Sequence, residues 1–83
     1  MKSNPKKYYL VVTELLYRLR TNSGLTQKEL SEKLNVQQSY ISKIETGERR
    51  IDLIELREIC NVLGSNIVEF ATMLEKELNE TTS

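Results

Sequence analysis

Apolar residues recur at helical spacing along most of this chain. Val12, Leu15, Leu16 and Leu19 fall at i, i+3, i+4 and i+7, which predicts an amphipathic helix over about residues 8–23. Gly24 closes it, because glycine takes the left-handed conformation that follows a helix without a steric penalty. Thr26 and Glu29 have the spacing of a capping box, hydroxyl and carboxylate each meeting an orphan N–H, and Leu30 and Leu34 give the second helix its inner face. Asn35 tolerates the positive φ that a tight turn needs. A third helix then runs from about 38 to 46 with Ile41 and Ile44 inward, and Gly47 ends it.

The remaining third repeats the scheme. Asp52 and Glu55 cap a fourth helix with Leu53, Leu56, Ile59, Cys60 and Leu63 inward, up to Gly64. Asn66 and Glu69 cap a fifth, whose apolar stripe is Ile67, Phe70, Ala71, Leu74 and Leu78. No stretch alternates with period two, so the fold class is all-α, a single five-helix domain over 1–83 with frayed ends at about 1–7 and 79–83.

Size and composition narrow the chemistry. A chain of 83 residues has room for one small core, and a large enclosed active site does not fit in it. Cys60 is the single cysteine, on an inward face, so it reads as a small buried hydrophobe rather than a redox switch. There is no histidine, no cluster with metal-ligand spacing and no glycine-rich phosphate loop; Ser39 and Ser42 lack a neighbouring base. Neither an enzyme, a metal nor a cofactor is expected. No apolar run reaches the ~18 residues of a membrane span and no signal-peptide pattern is seen, which points to the cytoplasm and away from membranes.

Net charge is zero, but its distribution is uneven. Residues 1–50 hold ten Lys and Arg against five Glu, and residues 51–83 hold two basic against seven acidic side chains. A bipolar molecule of this kind can turn its basic half towards a polyanion, though unequal solvated halves alone would give the same numbers. The third helix is more informative. With Ile41 and Ile44 inward, Ser39, Ser42, Lys43 and Thr46 fall opposite and Gln38 leads the first turn, forming a face of short hydrogen-bonding groups suited to base edges in a major groove.

The stretch LTQKELSEKLNVQQSYISKIETG, residues 25–47, resembles the helix-turn-helix of the Xre, or phage Cro and repressor, family of transcriptional regulators. Leu30, Leu34, Val36, Ile41 and Ile44 match its apolar positions, and GERRIDLIELREICNVLG, residues 47–64, matches the loop and fourth helix of small members. Three positions depart from the pattern: Ser31 stands where Ala is usual, Asn35 where Gly is usual, and Gln37 where a Ser or Thr cap is common. The resemblance implies a lambda-repressor-like DNA-binding fold with its helix-turn-helix core at 26–46.

It also implies roles. Gln38, Ser39, Ser42 and Lys43 match base-reading positions, and Gln27 matches a phosphate contact at the start of helix two, where the helix dipole favours anions. Gln37 and Tyr40 flank the reading face within reach of the backbone, with packing of the Tyr40 ring against helix two as an alternative. Thr46, Arg49 and Arg50 lie where the family's loop approaches phosphates. Arg20 and Glu45 match a partly buried salt bridge between helices one and three.

Members of the family bind inverted half-sites as dimers, so the expected partners are double-stranded DNA and a second copy of the chain, with no small-molecule ligand. Phe70, Met73, Leu74 and Leu78 are the expected dimer contacts, or else part of the monomer's own core. The function implied is a repressor or a restriction-modification-type controller. The rival is an antitoxin or adaptor that grips a protein and touches DNA secondarily.

Overall fold

The computed structural model describes residues 5–82 and, within them, five helices: α1 (Pro5–Asn22), α2 (Gln27–Leu34), α3 (Gln38–Thr46), α4 (Leu53–Val62) and α5 (Ile67–Thr82). Among the described residues there is no strand. Both outer helices extend further than the apolar pattern indicates. Helix α1 starts three residues before the expected boundary and α5 continues to Thr82, so 5–7 and 79–82 are helical rather than frayed. The rest of the expected frayed ends, 1–4 and 83, lies outside the described residues.

Local chemistry sets the inner boundaries. The Thr26 hydroxyl accepts from the Glu29 N–H while the Glu29 carboxylate accepts from the Thr26 N–H, and Asp52 with Glu55 repeats the exchange at α4. At α5 the Asn66 amide oxygen accepts from the Glu69 N–H at 2.9 Å. Helix α2 ends with Asn35 at φ 57°, the left-handed conformation that asparagine tolerates. Helix α3 ends with Gly47 at φ 84°, where a Cβ would be strained.

The core draws on every helix: Leu15 and Leu16 of α1, Leu30 of α2, Ile41 and Ile44 of α3, Ile59, Cys60 and the flanking Leu63 from α4, and Phe70 of α5. Ser31, in the place usually held by alanine, is buried and satisfies its hydroxyl by donating to the Lys28 carbonyl at 2.7 Å. Two expected inner-face residues turn outwards instead. Leu53 is 66% exposed at the first turn of α4, and Ala71 is exposed on α5. Val36, matched as apolar, sits at the edge of the α2–α3 turn and is exposed as well.

Candidate nucleic-acid interface

Helix α3 is fixed from its buried side. Ile41 and Ile44 are each 2% exposed, and one turn of helix separates them, so they define the face that meets the core. Gln38, Ser39, Lys43 and Thr46 are consequently exposed, and Ser42 is half-buried at the margin. The outward face expected to read bases therefore consists of an amide, two hydroxyls and an ammonium, flanked by the Thr46 hydroxyl. No ion pair engages Lys43 among the described residues.

Orientation comes from Arg20. Its Nε donates to Glu45 Oε2 at 2.7 Å and its Nη2 to Glu45 Oε1 at 3.0 Å, a two-point pairing of α1 with α3. The third donor, Nη1, satisfies the Leu25 carbonyl at 2.8 Å in the turn before α2. Arg20 is 8% exposed, and its hydrogen bond to Glu45 holds the guanidinium above its ordinary pKa against the cost of burial. The expected inter-helix salt bridge is thus present, and it reaches further than expected: Gln27 Nε2 also donates to Glu45 Oε1 at 3.0 Å. One carboxylate ties the start of α2, α3 and α1 together.

The start of α3 is less well served. Gln37 is the N-cap residue with φ −76° and ψ 150°, and its side chain makes no capping bond. Its Oε1 instead lies 3.5 Å from the Ser39 hydroxyl, at the outer limit of a hydrogen bond.

Two tyrosines and two arginines hold the loop after α3. Arg49 lies over the Tyr40 ring at 4.7 Å, and Arg50 lies over the Tyr9 ring at 4.5 Å. Tyr9 Oη accepts from the Ile51 N–H at 2.9 Å. Tyr40 Oη donates to Glu55 Oε2 at 2.7 Å, while Arg49 donates to both Glu55 oxygens at 3.2 and 3.0 Å. Burial, followed by the bond to Glu55, pushes the Tyr40 phenol up to about 12. Arg49, then the Asp52 N–H, then Tyr40 bring the Glu55 carboxyl down to about 2. The hydrogen bond to Glu55 in turn raises Arg49. Tyr40 therefore packs into this network, and of the two arginines only Arg50 lacks an ion-pair partner among the described residues. Sequence reasoning missed Glu55 as more than a cap, since a contact to Tyr40 fifteen residues away has no local signature.

Of the expected dimer contacts, Phe70 is 1% exposed and belongs to the core, so it cannot meet a second chain without unfolding its own. Met73 and Leu74 are half-buried against that core. The apolar surface left open is elsewhere: Val68 is 71% exposed, and with Ile67, Ala71, Thr72 and Glu75 it lines a shallow groove along α5. Leu53 and Ile54 protrude from the start of α4. Among the described residues there is no group of three metal-ligating side chains, and no helix is long and apolar enough to cross a membrane.

A family model described as helix-turn-helix matches residues 16–70. An uncharacterised HTH-type transcriptional regulator of Sinorhizobium fredii is 40% identical over 55 residues, which is 66% of this chain and 71% of that one. Among solved structures, an XRE-family-like protein from Pseudomonas syringae superposes with a TM-score of 0.80 at 37% identity, over 86% of this chain and 87% of the other. A restriction-modification controller protein superposes with a TM-score of 0.78 at 32% identity, covering 86% and 93% of the two chains.

Proposed function

The chain belongs to the helix-turn-helix family, and from that premise we propose that it is a DNA-binding transcriptional regulator that docks α3 in the major groove of duplex DNA. One observation carries the reading: the buried pair Ile41 and Ile44 presents Gln38, Ser39 and Lys43 outwards on a helix already braced by Arg20 and Glu45. Gln38 suits adenine N6 and N7, Lys43 suits guanine O6 or N7, and the serine hydroxyls suit either. Gln27 at the α2 start, with Gln37, Thr46 and Arg50, supplies phosphate contacts that set register.

The regulator acts as a homodimer on an inverted repeat, in the cytoplasm, and represses or controls its target by occupying it. Named relatives support this role, since the solved neighbours include a restriction-modification controller. The dimer surface excludes Phe70 and joins the half-buried Met73, Leu74 and Leu78 of α5 to the exposed apolar side chains Leu53, Ile54 and Val68. These helices also hold most of the acidic side chains of the second half, so pairing through them keeps repulsive charge away from the phosphates.

Selection from random duplex DNA, followed by gel shifts at two salt concentrations, tests the proposal. A palindromic consensus with half-sites one helical turn apart is the expected result. Recovery of no consensus, with equal affinity for any duplex, overturns it. Within a recovered operator, Lys43→Ala should cost about 1–3 kcal/mol and relax preference at one position of each half-site. Equal losses on operator and scrambled DNA would remove Lys43 from the base-reading set.

A further inference from the structure

Glu55 accepts more hydrogen bonds than a helix cap requires. Its Oε1 takes the Asp52 N–H that completes the capping box, and the two oxygens together take two N–H groups from Arg49 and the hydroxyl of Tyr40. The Arg49 guanidinium is confined on three sides: by this carboxylate, by the Tyr40 ring beneath it, and by the Arg50 carbonyl, to which Nη1 also donates at 3.0 Å. The forked pairing of a guanidinium with two carboxylate oxygens is the geometry that a guanidinium offers a phosphate. Arg49 also sits in the loop directly after the reading helix, where its neighbour Arg50 has no ion-pair partner among the described residues. An acid that fills an arginine's fork beside a DNA-facing helix removes that arginine from the charges available to neutralise DNA.

Building on the DNA-binding reading above, we propose that Glu55 is a built-in competitor for DNA phosphate: it occupies Arg49 and holds down the sequence-independent part of DNA affinity. The consequence is a domain whose basic half attracts DNA through fewer charges than it contains. Sequence-independent attraction grows with every phosphate neutralised, so one sequestered arginine per protomer is a measurable restraint.

The test measures binding to a scrambled duplex from 50 to 200 mM salt. Glutamine also completes a capping box, so Glu55→Gln keeps the α4 cap and removes the charge that holds Arg49. Its log–log salt slope should steepen by about 0.9 per protomer, giving a further loss of roughly 3-fold across that salt range, with tighter binding at the low end. Glu48→Gln removes an equal charge from the same loop without freeing an arginine and should leave the slope within about 0.3 of wild type. In an Arg49→Ala background the effect of Glu55→Gln should vanish, and Arg49→Ala alone should leave the wild-type slope unchanged. A slope for Glu55→Gln no steeper than for Glu48→Gln, or a gain that survives Arg49→Ala, overturns the proposal. So does a wild-type slope that flattens by about 0.9 on Arg49→Ala, a result readable even if Glu55→Gln fails to fold. Wild-type protein with no salt-dependent affinity for any duplex would instead defeat the DNA-binding reading itself.

Discussion

Arg20 does the work of several residues because its three donor groups tie two other elements to its own helix. The Glu45 carboxylate takes two of them and the Leu25 carbonyl the third, so the reading helix, the α1 helix and the turn into α2 share one charge network. Truncation to alanine would strip Glu45, whose side chain is 8% exposed in the intact pair, of its guanidinium and leave it Gln27 as its remaining side-chain donor. Breaking a buried pair from one side costs about 3–5 kcal/mol, a large share of the margin of so small a domain. Arg20→Ala should therefore unfold at much lower urea than wild type, and an unchanged midpoint would show that the pair contributes little. Tyr40 gives a second residue-scale prediction, in pH. Its phenol ionises near 12 in the folded protein and near 10 in an unfolded chain, so its contribution is complete below pH 10 and is lost as pH rises through 12. Glu55 works in the opposite direction: a carboxyl held at about 2 stabilises the fold above its unfolded value of about 4.3, and that contribution is lost as pH falls towards 2. Denaturation midpoints measured from pH 9 to 12 should fall for wild type and stay flatter for Tyr40→Phe.

At the scale of elements, the difference between α3 and its neighbours is the start of the helix. Helices α2, α4 and α5 each receive a side-chain cap, whereas the N-terminal N–H groups of α3 meet none from Gln37. A serine at that position supplies the missing acceptor, and caps of this type are worth about 0.5–2 kcal/mol. Gln37→Ser should accordingly raise the melting temperature by several degrees, on the scale of roughly 4–8 °C per kcal/mol for a domain of this size. No rise would mean that water already satisfies those groups as well as a hydroxyl does. Caps, turns and the outward face of α3 were legible in the sequence because each depends on residues within one turn of one another. The apolar stripes were legible only in part. Leu53 occupies the first turn of α4, where no neighbouring helix covers it, so periodicity assigned it too much burial, whereas Phe70 lay on the expected stripe of α5 and only the packed fold decides that it faces the core rather than a second chain. The Tyr40–Glu55–Arg49 network lay beyond reach for the same reason, since it joins a helix, a loop and another helix through side chains distant in sequence.

For the whole molecule, the decisive relation is between charge and assembly. A domain with zero net charge gains nothing from bulk attraction to DNA, and its affinity depends on turning its basic half towards the duplex and its acidic half away. In the proposed dimer, pairing two copies through α4 and α5 would achieve both and bring two copies of α3 to two half-sites. Val68 is the most direct probe of that arrangement. It is 71% exposed, so replacing it disturbs little of the monomer's own core, and glutamine is a good helix former without charge. If the side chain is buried between copies, each loses apolar contact in Val68→Gln, about 2–4 kcal/mol over the pair and at least a tenfold rise in the dimer dissociation constant. Sedimentation equilibrium reads that constant, and thermal melting of the monomer checks that the fold is intact. Binding to the full inverted repeat should weaken with it, because the second half-site is then no longer held at high effective concentration, while binding to an isolated half-site should stay as it was. Loss on the single half-site as well would place Val68 in the path of DNA rather than between subunits. An unaltered dimer constant would move the dimer surface to Leu53 and Ile54 at the start of α4.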